Sequence, residues 1–207
     1  MANAQKVREV IFAIIEIIEE KKLFLTQLDA AIGDGDHGLN MAKGFGAAKE
    51  KLESTNPETP SDILKAVGMA LISKVGGAAG PLYGTAFLNA SKSVAGKTEL
   101  DLNDFQVMLE SALDGVKSRG KATVGEKTMV DAIEPALDAL KKAIAEGSST
   151  REAMDKAVAA AEEGVNYTKT IIAKKGRASY LGERSIGHID PGAMSSFVIL
   201  KTIAENF

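Results

Sequence analysis

The stretch Leu28-Asp-Ala-Ala-Ile-Gly-Asp-Gly-Asp-His-Gly-Leu-Asn40 separates one helical pattern from the next. Three carboxylates, Asp29, Asp34 and Asp36, fall within eight residues, interleaved with Gly33, Gly35 and Gly38. Like charges this close repel unless water screens them or a cation neutralises them. Hard divalent cations prefer oxygen ligands, and Mg2+ commonly takes one or two carboxylates together with substrate phosphates. The glycines let the backbone turn sharply and approach a ligand. The stretch therefore predicts a magnesium–phosphate site; on spacing alone, an acidic helix-capping loop in solvent is the alternative. A calcium EF-hand is excluded by register. With Asp34 at its first position, the sixth is Leu39 where glycine is required, and the twelfth is Phe45 where glutamate is required.

On the N-terminal side, Val7, Ile11, Ile14, Ile15 and Ile18 recur at helical spacing, predicting an amphipathic helix over Ala4–Lys22. A second short helix over Phe24–Ala31 delivers Asp29 one turn before the loop. On the C-terminal side a third helix opens near Leu39 and runs through Met41, Phe45 and Ala48. Its first turn offers free backbone N–H groups to an anion. One turn can thus hold a metal through side chains and a phosphate through backbone.

The 207 residues suit one domain, expected to span 1–207. Apolar residues make up 45% and aromatics only 5%, with no Trp, which favours closely packed helices over a sheet. A net charge of −3 implies no broad basic surface, so nucleic acid is not an expected partner. Without cysteine there are no disulfides and no thiolate ligands, which fits a cytoplasmic location. No signal peptide and no membrane span are visible.

Farther along, Ser54–Pro60 reads as a loop, with Ser61 as N-cap of a helix running to Val75. Gly76-Gly-Ala-Ala-Gly-Pro-Leu-Tyr-Gly84 is either a second phosphate cradle or a tight helix–helix turn; it lacks the Lys-Ser/Thr ending of a P-loop. A helix is expected over Leu100–Arg119, then a polar loop, Ser118–Lys127. The next helix starts at Thr128, with a kink or break at Pro135. Ser149 or Thr150 caps a helix continuing toward Lys174. Lys174–Ala193 is a long glycine-punctuated loop carrying Arg177 and Arg184, and Asp190-Pro191 starts the last helix. Long ordered loops are often functional, and arginines offer planar forks to phosphate, although structural ion pairing accounts for them equally well. No strand alternation survives. The expected fold class is all-α, with about eight helices and the glycine-rich loops gathered at one end.

At Asp29–Asn40, Gly76–Gly84, Ser118–Lys121 with Lys127-Thr-Met129, and Gly176–Ala193, the sequence resembles the nucleotide-binding L subunits of bacterial dihydroxyacetone kinases. Four separated motifs in order cover nearly the whole chain. The resemblance implies a barrel of eight antiparallel helices with ADP/ATP and two Mg2+ at one rim. It implies that Asp29, Asp34 and Asp36 bind the metals. His37, Gly38, Leu39 and Asn40 would start the phosphate-contacting helix, and Ala78 and Ala79 would make the second nucleotide contact. Many relatives carry serine at the position of Ala79, so a hydroxyl contact is absent here. Gly120 and Met129 match the adenine and ribose side, Arg177 the phosphate-reaching arginine and catalytic group, and Asp190, Pro191 and Gly192 the last binding segment. The implied partners are a K subunit that holds dihydroxyacetone, a phosphohistidine M component of the phosphotransferase system, and in some systems a transcription regulator. The alternatives are a kinase for another short-chain sugar that exchanges ATP freely, and an ADP-dependent regulator-binding module. His37 is expected to contact phosphate rather than carry a phosphoryl group or ligate metal, and His188 to orient its loop.

Overall fold

The computed structural model describes all residues, Met1–Phe207. Eight α-helices follow one another: α1 (Ala4–Ile32), α2 (His37–Thr55), α3 (Pro60–Lys74), α4 (Ala79–Ser93), α5 (Leu102–Gly120), α6 (Val130–Ala145), α7 (Thr150–Thr168) and α8 (Pro191–Asn206). Each packs on the next, and α8 packs on α1, so the ring closes. The connections α1–α2, α3–α4, α5–α6 and α7–α8 meet at one rim, because successive helices alternate in direction. At the other end Ala2–Asn3 (β1) pairs antiparallel with Glu99–Leu100 (β2). The sequence shows no strand there, since two residues are too few to show a period of two.

The inward faces carry the apolar residues that the helical spacing picked out. Ile14, Ile18, Phe45, Leu52 and Leu71 are fully buried, each stabilising the fold by about 1.5–3 kcal/mol relative to exposure. Between the helices lies an apolar lumen of about 140 Å3, bordered by residues including Val10, Ile14, Phe105 and Ile199.

Several boundaries differ from the sequence-based expectation. The predicted helices on either side of Leu23 are one continuous helix of 29 residues. No glycine or proline interrupts it before Gly33, and Lys21, Lys22 and Leu23 are good helix formers. The cap of α3 is Thr59, whose hydroxyl accepts from Asp62 N, with Pro60 at the first helical position. Ser61 instead donates to the Ser91 carbonyl on α4. Helix α5 continues to Gly120, and α6 begins at Val130 rather than Thr128.

Pro135 does not break α6. It has no N–H to offer the Asp131 carbonyl, and that carbonyl faces Gly164 on α7, where a Cβ would collide with it. Helix α7 ends at Thr168, six residues before the expected point. Its end is set by distant partners: the Thr168 carbonyl accepts from Lys127 Nζ, and the Lys169 carbonyl accepts from Gly187 N at 2.7 Å. The long loop that follows contains a 3-10 segment, Arg177–Ser185, before Asp190 caps α8 through Ala193 N at 2.7 Å.

Candidate functional site

The four connections at the rim enclose a cavity of about 560 Å3. Asp29 is placed by the last turn of α1 and is nearly buried at 8% exposure. Its Oδ2 accepts from Asp36 N at 2.9 Å and His37 N at 3.1 Å. One carboxylate therefore folds the loop back on itself and presents the other acids. Gly35, with φ +73°, makes the turn that this requires. A Cβ on Gly33 would run into the Asp29 carboxylate. Ligand oxygens from Asp29, Asp34 and Asp36 lie within 4.8 Å of one another. Three hard oxygen donors at this spacing fit a divalent cation such as Mg2+.

Across the mouth, Arg177 Nη2 meets Asp34 Oδ2 at 3.0 Å. Gly176, with φ +61°, turns the chain just before it. Asn40 from α2 approaches Gly76 from the α3–α4 connection; a Cβ there would sit 3.2 Å from Asn40 Oδ1. The far wall is built from Gly120, Met129, Asp190, Pro191 and Gly192, with a Cβ on Gly192 3.5 Å from Met129 Cβ.

Of the residues singled out by sequence, Asp29, Asp34, Asp36, His37, Asn40, Ala78, Ala79, Gly120, Met129, Arg177, Asp190, Pro191 and Gly192 all border this cavity. Gly38 and Leu39 do not. Gly38 is buried against α1, where a Cβ would strike the Lys22 carbonyl, and Leu39 is half-exposed on the outer face. Arg184 and His188 also lie outside the cavity lining.

Other residues of the site gave no local sign of their position. Lys127 is buried with φ +61°, and its ammonium donates to the Thr168 and His188 carbonyls, pinning the α5–α6 connection to the end of α7 and to the segment before α8. Burial holds its pKa below the ordinary lysine value, against the pull of Asp190 and Asp131. Asp131, also buried, accepts from Gly125 N at 2.6 Å and Thr128 N at 2.8 Å, fixing the same connection. Tyr83 borders both the cavity and the apolar lumen. Its hydroxyl lies 2.7 Å from Ser195 Oγ and 2.8 Å from Ser196 Oγ. Ser195 Oγ is in turn 2.9 Å from His37 Nε2. Burial lowers the His37 pKa, opposed by Asp29 and Asp36. Burial lifts Asp190 to about 7, opposed chiefly by its cap bond from Ala193.

An acidic cluster, an arginine fork, helix N-termini and an apolar wall in one cavity suit a ligand with phosphates at one end and a flat apolar ring at the other. The DAK2 domain family matches residues 31–205, and the chain belongs to it. It is 46% identical over 190 residues to the ADP-binding subunit DhaL of PEP-dependent dihydroxyacetone kinase 1 from Listeria innocua, covering 92% of this chain and 90% of that one. To the corresponding DhaL subunit of Escherichia coli it is 44% identical, over 91% of this chain and 90% of that one. It is also 35% identical to D-erythrulose kinase from Mycolicibacterium smegmatis, covering 99% of this chain but 36% of the relative. The dihydroxyacetone kinase of C. freundii in its native form shares the fold, with a TM-score of 0.74 at 24% identity. This chain is covered fully by that alignment and spans 35% of the solved chain. No helix is long and apolar enough to cross a membrane.

Proposed function

We propose that this chain is the nucleotide-binding subunit of a phosphoenolpyruvate-dependent dihydroxyacetone kinase. It holds ADP/ATP with two Mg2+ at the barrel rim and relays phosphate from a phosphohistidine M component to dihydroxyacetone on a separate K subunit, in the cytoplasm. The observation that carries this reading is the joining of the acid cluster, Arg177, the Gly76–Ala79 connection and Asp190–Gly192 around one cavity. Identity of 42–46% over about nine-tenths of the chain to subunits named as ADP-binding supports it.

Asp29, Asp34 and Asp36 hold the metals, which offset carboxylates and phosphates together and stabilise charge on the transferring group. About −3 from the aspartates and about −3 from ADP against about +4 from two ions leaves about −2, which the Arg177 guanidinium lowers further in magnitude. His37 and Asn40 at the start of α2 and the backbone at Ala78–Ala79 cradle phosphate, where a hydroxyl is missing at Ala79 but an N–H remains. Met129, with Gly120, gives adenine an apolar thioether face. Arg177 adds donors to charge developing on the transferring phosphoryl group, as a fork and not as a base. Lys127 and Asp131 keep that wall in place.

Native mass spectrometry of the purified chain without added nucleotide, beside an Asp34→Ala, Asp36→Ala variant, tests this. Extra mass matching ADP plus two Mg2+ in the wild type alone is expected. A chain that binds no nucleotide even with ATP and magnesium supplied would overturn the reading.

The similarity to D-erythrulose kinase favours one second reading, an L-type unit serving another short-chain sugar. Rapid exchange of bound nucleotide with free ATP, and phosphorylation of erythrulose in preference to dihydroxyacetone with the cognate K subunit, would select it. Contact with a transcription regulator is compatible with either reading and is measured by titrating the ADP-loaded chain.

A further inference from the structure

A buried line of hydroxyls runs under the cavity floor: Ser196 Oγ, Tyr83 Oη, Ser195 Oγ, then His37 Nε2, at successive separations of 2.8, 2.7 and 2.9 Å. Tyr83 and Ser195 are both buried, at 4% and 0% exposure. Each hydroxyl has one proton to give. The Gly192 carbonyl is a competing acceptor, but it lies farther off, 3.1 Å from Tyr83 Oη and 3.2 Å from Ser195 Oγ. A separation does not set direction, and two orientations fit. In one, Ser195 gives its proton to Gly192 and His37 Nε2 donates; in the other, Ser196 donates to Tyr83, Tyr83 donates to Ser195, and Ser195 donates to His37 Nε2. A neutral imidazole that accepts at one nitrogen carries its proton on the other.

We propose that Tyr83 and Ser195 are positioning residues that hold His37 in its Nδ1–H tautomer, a hydrogen-bond donor to the anionic part of the ligand. This rests on reading the cavity as a nucleotide site and adds how its histidine is prepared. The ring follows Asp36 directly and its own backbone N–H is held by Asp29. With Nε2 committed to Ser195, only Nδ1 remains to serve the cavity. A bare nitrogen there would face phosphate oxygens lone pair to lone pair; a protonated one binds them. The phenol is suited to the task because its rigid ring spans from lumen to cavity and delivers one proton at a fixed place. Neither Tyr83 nor Ser195 touches the ligand in this scheme; they act through His37.

The chain has only two histidines, His37 and His188. The test is long-range 1H–15N correlation of the imidazole in a tag-free His188→Gln background at pH 8.5, where the remaining ring carries one proton. The expected spectrum has Nε2 at the downfield position of a bare nitrogen and Nδ1 protonated. Tyr83→Phe keeps the ring but removes the donor, so Ser195 is free to turn to Gly192. The two 15N shifts should then converge as tautomers mix. ADP affinity in magnesium should fall about tenfold, the scale of one lost hydrogen bond. Ser195→Ala should do the same, and it decides the matter if Tyr83→Phe fails to fold by circular dichroism. A wild-type Nε2 that carries the proton, or variants with unchanged 15N shifts, would overturn the proposal. A wild type with the expected tautomer that binds no ADP would leave the relay supported and count against the nucleotide reading instead.

Discussion

Arg177 and Asp34 meet at 3.0 Å across the cavity mouth, one from the 3-10 segment before α8 and the other from the α1–α2 connection. The side chains are 70% and 37% exposed. An ion pair this open contributes little to stability, because water screens it and two long side chains lose freedom. Its value lies in where it parks the guanidinium. Arg177→Ala is therefore expected to lower phosphoryl transfer by about 10³-fold. ADP should stay bound within a few-fold, and the thermal midpoint should not move. Transfer assayed with the K subunit, alongside calorimetry of ADP binding, checks this. Activity near wild type would remove Arg177 from the catalytic role.

Asp29 has two duties that substitutions can separate. Its Oδ2 organises the loop through Asp36 N and His37 N, and its charge faces the cavity. Asp29→Asn keeps an acceptor for the loop and removes the charge. It should fold nearly as well as wild type yet lose magnesium-dependent ADP binding. Asp29→Ala removes both and should cost a further ~1 kcal/mol, the low end of the penalty for stranding donors, since these two are only partly buried. Urea unfolding with and without magnesium compares them. Equal stability of the two variants would mean that the carboxylate does not hold the loop.

These two residues also mark how far sequence could reach. The acid cluster was legible because its three carboxylates lie within eight residues and their chemistry is local. The helices were legible from their apolar period, as at Ile11, Ile14 and Ile18. Arg177 could be noticed in its loop, but no local pattern pairs it with Asp34. Lys127 and Tyr83 fell inside the motifs Lys127-Thr-Met129 and Gly76–Gly84, but nothing local gave their contacts. A lysine on a polar loop looks solvated until the Thr168 and His188 carbonyls arrive from elsewhere in the chain. The end of α7 was misplaced for the same reason, since its terminal carbonyls are satisfied by Lys127 and Gly187.

Two helical glycines should respond in opposite directions. A Cβ on Gly164 would collide with the Asp131 carbonyl and crowd Ala132 Cα at 3.2 Å, backbone that cannot swing aside. Gly164→Ala should destabilise by about 1–3 kcal/mol, the range for overpacking. It should also weaken ADP binding, because Asp131 holds Gly125 and Thr128 in the α5–α6 connection. Gly46 in α2 has nothing within 4 Å of such a Cβ. Gly46→Ala should stabilise by about 0.5–1 kcal/mol through helix propensity alone, with ADP affinity unchanged. Denaturant midpoints and ADP titration of both variants test the contrast. A silent Gly164→Ala would show that α6 and α7 have room to spare.

Asp190 gives the fold a pH dependence of unusual sign. Burial raises its carboxyl from the ordinary value to about 7, whereas in the unfolded chain it titrates near about 4. Between these values the folded chain binds the proton more tightly than the unfolded one. Stability from this group is therefore fully present below about pH 4 and lost as pH rises through about 7. Most native carboxylates act the other way, so the effect is isolated by difference. Asp190→Asn keeps an oxygen to accept from Ala193 N and removes the titration. The thermal midpoint of wild type minus that of Asp190→Asn should fall as pH is raised from about 4 to about 7 and level off above. A difference that stays flat across the window would place Asp190 among ordinary carboxylates. A rising difference would mean that the charged form is favoured in the fold, with Lys127 outweighing burial.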